Sequence, residues 1–271
     1  MHPLSDMPLR GPGGRLDAAR ALLVEAASAV AFTGAGVSAE SGVPTFRGTD
    51  GLWRRHRPEE LATPEAFDRD PCLVWEWYES RRERIRSCYP NAAHIALAEW
   101  LFADPESRTL ITQNVDGLQE QALSEVGGIP IAELPAIVRP RTLHGSIFRA
   151  RCLECRRERP WREPVDASSR ESLPRCPDCR GLLRPAVVWF GEALDPAVLD
   201  DAMTRAQEAD VGLIVGTSGL VQPAASLPHM TRESGGSLIE VNPEPTPTSG
   251  LAQVWFASQA ARMLPDLLLG I

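Results

Sequence analysis

Two cysteine pairs constrain this chain more than any other feature: Cys152-x-x-Cys155 and Cys176-x-x-Cys179, with twenty residues between them. The two-residue spacing lets both thiolates of a knuckle reach one ion, and two knuckles complete a tetrahedral S4 shell for zinc. Pro177 and the run Leu173-Pro174-Arg175 suit the tight turns such a site needs. Four thiolates leave no open coordination position, so one Zn2+ here is structural and props up a small, loop-rich module. Six cysteines in 271 residues are too few and too uneven for a disulfide scaffold. Cys72 and Cys88 read as packed or surface thiols, and catalysis has to be sought elsewhere.

Upstream, residues 16–28 carry apolar side chains at helical spacing (Leu16, Ala19, Leu22, Leu23, Ala26). The apolar run Ala29-Val30-Ala31-Phe32-Thr33 follows and reads as a buried strand. It leads into Gly34-Ala35-Gly36-Val37-Ser38-Ala39, a G-x-G-x-x-[GA] turn in which glycines let a backbone approach a pyrophosphate. A hydride-transfer dehydrogenase would next show a strand ending in Asp or Glu about twenty residues on. A loop through Pro44-Thr45-Phe46-Arg47-Gly48 and a charged stretch stand there instead, followed by a helical pattern over 68–86. Strands are expected at 109–112, 211–215 and 237–241, each ending in polar residues: Gln113-Asn114-Val115-Asp116, Gly216-Thr217-Ser218 and Asn242. Helical patterns at 92–102 and 196–208 supply crossovers. The expected fold is α/β: a Rossmann-like parallel sheet (16–47, 107–146, 185–271) with a smaller domain made of a helical insertion (48–106) and the zinc module (147–184). Residues 1–15 are expected to form a flexible N-terminal segment.

Charge narrows the function classes. A net charge of −8 argues against general nucleic-acid binding. Residues 139–184 run the other way, with twelve arginines against six acidic residues, so a zinc ribbon touching nucleic acid is the rival reading of that module. No stretch reads as a membrane span, and the first fifteen residues have no apolar core of a secretory signal, so a soluble cytoplasmic protein is expected. All 28 basic residues are arginine and none is lysine. Arginine-favouring codon usage explains this, and it is also what an enzyme acting on modified lysine, unable to be its own substrate, would show.

Taken in order, the motifs resemble one family. Gly34-Ala35-Gly36-Val37-Ser38, Gly42-Val43-Pro44-Thr45-Phe46-Arg47, Gln113-Asn114-Val115-Asp116, Leu143-His144-Gly145, the four cysteines, Val188-Trp189-Phe190-Gly191-Glu192, Gly216-Thr217-Ser218 and Val241-Asn242 are similar to those of the sirtuins, the NAD-dependent protein lysine deacylases. The resemblance implies that NAD lies with its pyrophosphate over Gly34, Ala35, Gly36 and Ser38, with Glu40 close by. It puts Thr45, Phe46, Arg47 and Trp53 in or beside a mobile cofactor loop. Gln113, Asn114 and Asp116 would line the ribose and nicotinamide pocket, and Gly216, Thr217, Ser218, Asn242 and Ala260 would contact the cofactor. His144 would be the base: the acyl oxygen attacks the nicotinamide ribose, nicotinamide leaves, and a ribose hydroxyl gives up its proton to complete the transfer. The products would be free lysine, nicotinamide and O-acyl-ADP-ribose. Acylated-lysine proteins or peptides would be the partners, held along Val188, Phe190 and Gly191.

Tyr78 and Arg81, three apart, share one face of a helix, where a phenol and a guanidinium together can hold a carboxylate. The pair resembles the class III branch of the family, which removes succinyl, malonyl and glutaryl groups, and a small Ala39 is consistent with room for a longer chain. The expected activity is therefore desuccinylation and demalonylation, with weaker deacetylation. A plain deacetylase and a mono-ADP-ribosyltransferase are the alternatives. The family usually has histidine where this chain has Gln119, and the surroundings of Ala260 match the family pattern weakly.

Overall fold

The computed structural model describes residues 14–45 and 58–271. Helix α1 (Gly14–Glu25) ends three residues before the sequence pattern does, and strand β1 (Ala29–Thr33) follows. Then come α2 (Gly36–Ala39), α3 (Pro58–Leu61), α4 (Pro64–Arg69), α5 (Pro71–Arg86) and α6 (Ala92–Ala103). Next are β2 (Arg108–Thr112), α7 (Leu118–Gly127), β3 (Arg141–Thr142), β4 (Gly145–Cys152), β5 (Glu158–Pro160) and β6 (Leu183–Val187). The chain closes with α8 (Pro196–Glu208), β7 (Val211–Val215), α9 (Leu227–Glu233), β8 (Ser237–Val241), β9 (Val254–Phe256) and α10 (Ala260–Leu268).

Six strands form one parallel sheet in the order β3-β2-β1-β7-β8-β9. Every residue of β1 and of β7 is buried, as strands covered on both faces must be. Side chains alternate between the two covers. Ala29 and Ala31 join the cluster built with α1, α6, α7 and α10, while Val30 and Phe32 face α8 and α9. Strand order runs outward in both directions from the β1–β7 pair, so this pair is the topological switch point. A ligand crevice is expected beyond the carboxyl ends of these two strands.

The second sheet is antiparallel, β5-β4-β6, and carries the four cysteines at its far end. Helix α5 is fastened to it. Trp75 Nε1 donates to the Leu183 carbonyl at 2.9 Å, and Arg86 Nη2 donates to the Arg162 carbonyl at 3.0 Å. Arg82, with 0% exposure, pairs with Glu79 at 2.6 Å and donates to the carbonyls of Trp161 and Glu163. Removing one partner of such a buried pair typically costs about 3–5 kcal/mol.

One expectation needs adjusting. The helix expected over 68–86 is two helices, because the Asp70 side chain accepts from Leu73 N–H and Pro71 opens a new first turn. Helix α6 packs with the parallel-sheet core through Ala93, Leu97, Trp100 and Leu101. Cys88, by contrast, packs with the α4–α5 cluster. We therefore propose that the helical insertion ends near residue 90, not at 106.

Candidate functional site

A cavity of about 750 Å3 opens at the carboxyl ends of β1 and β7 and extends to α5. Gly34, Ala35, Gly36, Gly216, Thr217, Ser218 and Asn242 form one end, Gln113, Asn114 and His144 the middle, and Tyr78, Arg81, Val188, Phe190 and Gly191 the other. Thr45 also lines it.

The strand-tip end is built from backbone in close contact. A Cβ placed on Gly36 would lie 2.7 Å from Gly216 Cα, and one on Gly34 would lie 2.9 Å from the Gly216 carbonyl oxygen. Gly216 itself has φ +60, and a Cβ there would come within 2.5 Å of Val37 N. The glycines thus do more than admit a phosphate: they let the tips of two strands touch, which forms the floor. Thr217 Oγ1 accepts from Gln113 Nε2 at 3.0 Å, and Asn242 Nδ2 donates to the Thr217 carbonyl at 3.2 Å, tying three strand tips together. A floor of backbone and small polar groups suits a dinucleotide's pyrophosphate and ribose hydroxyls.

His144 sits between β3 and β4, half-buried on the cavity wall. Its Nδ1 is 3.0 Å from the Gln113 carbonyl oxygen. A carbonyl can only accept, so Nδ1 carries the proton and Nε2 keeps its lone pair. Burial lowers the imidazole pKa below its ordinary 6.5, outweighing the Gln113 hydrogen bond that raises it. His144 is therefore a neutral base at pH 7. Gly145 explains how the chain turns after it: its φ is +77, and a Cβ would meet the Ala186 carbonyl oxygen at 2.2 Å.

Behind the floor runs a buried polar chain that the sequence did not disclose. Asn91 N–H donates to His94 Nδ1 at 3.2 Å, leaving His94 Nε2–H for Ser38 Oγ at 3.2 Å. Ser38 donates in turn to Asp116 Oδ2 at 2.8 Å, and Leu118 N–H holds Asp116 Oδ1 at 2.9 Å. Asn114 Nδ2 also donates to Ser38 Oγ, connecting the chain to the cavity wall. Burial pushes the His94 pKa down to about 4 and raises that of Asp116. Gln119 donates to the His94 carbonyl at 3.1 Å, so this departure from the family pattern lies behind the wall and outside the cavity lining.

At the α5 end, Tyr78 and Arg81 reach the cavity side by side, as their three-residue spacing predicts. Arg81 is 7% exposed, with its guanidinium 5.0 Å from the centre of the Trp77 ring. Burial brings its pKa down to about 10, with Tyr78 and Asp116 opposing, so it is still a cation at pH 7. A partly desolvated guanidinium at the end of an apolar channel attracts a carboxylate more strongly than one in water.

Not every residue expected at the site lines the cavity. Ser38 and Asp116 stand one layer behind it. Glu40 Oε2 accepts from Ala261 N–H at 2.8 Å and so caps α10, whose first residue, Ala260, is buried in the core. Phe46, Arg47 and Trp53 lie outside the described residues. Trp77, Trp189 and the segment 243–247 line the cavity although the sequence assigns none of them a site role, Trp189 standing only as a member of the 188–192 motif.

The cysteine sulfurs of residues 152, 155, 176 and 179 all lie within 4.8 Å of one another. Cys152 and Cys179 are 3.4 Å apart, and Cys155 and Cys176 are 3.7 Å apart. A tetrahedral Zn2+ with bonds of about 2.3 Å spaces its sulfurs by about 3.8 Å, so the four residues fit that ion.

A family model described as "Sir2 family" matches residues 34–223. This chain belongs to the Sir2 family. Among its Sir2-family relatives, an "NAD-dependent protein deacylase" of Pyrococcus furiosus is 49% identical, over 91% of this chain and 94% of that protein. One of Aeropyrum pernix is 50% identical, over 91% and 93%. Among solved structures, a Sir2 homologue–NAD complex is 44% identical with a TM-score of 0.81, covering 93% of this chain and 92% of that one. A Sir2–p53 peptide–NAD+ complex has 28% identity and a TM-score of 0.76, covering 92% and 95%. Among the described residues, no helix is long and apolar enough to cross a membrane.

Proposed function

We propose that this Sir2-family chain is an NAD-dependent protein lysine deacylase that prefers acidic acyl groups, succinyl and malonyl, over acetyl. The observation that carries it is one cavity holding a backbone cradle, a neutral base and a buried cation in sequence. Its relatives are named for NAD-dependent deacylation, and its structural neighbours hold NAD, ADP-ribose or a peptide. When bound, NAD supplies an ADP-ribosyl group that the acyl oxygen captures as nicotinamide leaves. The chain's own residues do the rest. Gln113, Asn114, Thr217 and Asn242 offer neutral donors and acceptors to ribose hydroxyls, and His144 Nε2 accepts the proton of the hydroxyl that takes the acyl group. Val188, Phe190 and Gly191 flank the entry for the acyl-lysine side chain. Tyr78 and Arg81 bind the distal carboxylate, which would be costly to leave unpaired in this channel. The zinc module holds α5, which carries that pair. Paired thiolates suit the reducing cytoplasm, where we place the protein.

Mass spectrometry of matched acetyl-, malonyl- and succinyl-lysine peptides incubated with protein and NAD tests the reading. Loss of the two acidic groups at least tenfold faster than acetyl is expected. Faster deacetylation would discard the carboxylate pair, and NAD consumption without any deacylated peptide would favour ADP-ribosyl transfer.

A further inference from the structure

The turn after β6 holds a polar assembly that the proposed reaction does not use directly. Arg184, 3% exposed, makes a bidentate pair with Glu192: Nη1 to Oε1 at 2.5 Å and Nη2 to Oε2 at 2.9 Å. Glu192 Oε2 also accepts from Trp189 N–H at 2.8 Å, so the pair closes the 189–192 turn on itself. The guanidinium lies 3.3 Å from the centre of the Trp189 ring, stacked on its face. Burial alone would raise the Glu192 pKa, but the hydrogen bonds from Arg184 and Trp189 outweigh it and hold the carboxylate ionised. Trp189 is thus fixed through both its backbone and its ring. Its free edge then meets the acyl end of the cavity, where Nε1–H donates to the Tyr78 hydroxyl at 2.9 Å.

A phenol can donate or accept, and by itself does not discriminate between an acceptor and a donor at the end of an acyl chain. An indole N–H can only donate. With Trp189 occupying a lone pair of Tyr78, and Arg81 also purely a donor, the Tyr78 O–H is left to donate outward. Burial keeps that proton in place by pushing the Tyr78 pKa up to about 12. Tyr78 and Arg81 then both offer donors to the channel end, which a carboxylate satisfies and a terminal carboxamide NH2 opposes.

We propose that Trp189 is a positioning residue for acyl selection: it fixes the Tyr78 hydroxyl as a donor, and the Arg184–Glu192 pair fixes Trp189. This rests on the reading of Tyr78 and Arg81 as the acyl-carboxylate site. The test compares kcat/KM on succinyl-, succinamyl- and acetyl-lysine peptides for the full chain, Trp189→Phe, Tyr78→Phe and the double variant. The wild type is expected to favour succinyl over succinamyl, and Trp189→Phe to lower that ratio about tenfold, mostly through KM. In the Tyr78→Phe background the same change should move the ratio less than about twofold, because the coupling has lost its other partner. Replacing Trp189 by 3-benzothienylalanine, which has the same shape without the N–H, should reproduce the tenfold loss even if the phenylalanine variant folds poorly. An unchanged ratio in the benzothienyl variant, or an equal effect in both backgrounds, would overturn the proposal. A wild type without succinyl preference overturns the underlying carboxylate reading instead, and is seen before any variant is made.

Discussion

The two ends of the cavity, which we assign to the cofactor and to the acyl group, are made of different material. The cofactor end is backbone: Gly34, Gly36 and Gly216 pack so closely that a single methyl group has no room. The acyl end is side chain: Tyr78, Arg81, Trp77 and Trp189 project from a helix and a turn held by ion pairs and indole hydrogen bonds. Backbone is hard to retune without losing the fold, whereas side chains can be exchanged singly. Damage to the first end should therefore strike every substrate alike, and damage to the second should change which acyl group is preferred.

The most severe break is Gly216→Ala. Its positive φ and the 2.5 Å approach to Val37 N should cost about 3 kcal/mol or more. Thermal unfolding should show a large drop, and turnover of all acyl peptides should vanish together. A well-folded, NAD-binding Gly216→Ala protein would show that the tips have slack. Next is His144→Ala, which should lower kcat by about 10²–10⁴-fold on every acyl group equally, with NAD binding retained. Because burial lowers the His144 pKa, the wild-type acid limb should fall below pH 6.5, where Nε2 becomes protonated. An acid limb above pH 6.5 would place the titrating base elsewhere.

A smaller effect comes from His94, which is buried neutral behind the floor. Its folded pKa of about 4 lies below the unfolded 6.5, so protonation favours the unfolded chain. The stability it contributes is complete above pH 6.5 and is lost as pH falls from there toward 4, about 3 kcal/mol in all. Denaturant titrations at several pH values should show this slope, reduced in His94→Gln. An identical slope in that variant would assign the acid sensitivity to other groups.

The cofactor end was also the more legible one. Strands β1, β7 and β8 stand where the runs 29–33, 211–215 and 237–241 place them. Strands β1 and β7 are almost wholly apolar, as strands covered on both faces tend to be, while β8 buries Glu240, whose carboxylate accepts from Asn242 and Thr246. Sequence was less informative where partners are distant. The break at Asp70 was written in an Asp-Pro cap that the helical spacing on either side overrode. Strands β4, β5 and β6 each carry arginine and lack the unbroken apolar run of β7, and β4 pairs with β6 across a long sequence separation, Gly145 opposite Val187. Helix α10 carries Pro265 inside it, which hides its pattern. His94 carries no sequence signal inside an apolar helix; only the fold lays it against Ser38, which in turn bonds Asp116. Trp189 was visible as part of a motif, but its hydrogen bond to Tyr78 joins residues 111 positions apart.

The most direct test of the two-ended cavity is Arg81→Met, which keeps much of the side chain's bulk and removes the charge. Steady-state kcat/KM would be measured on succinyl- and acetyl-lysine peptides of one sequence. The account predicts a fall of about 100-fold for succinyl and less than about threefold for acetyl, with KM for NAD little changed. Equal losses on both peptides would contradict it, because Arg81 would then be supporting the fold or the cofactor and not reading the acyl group.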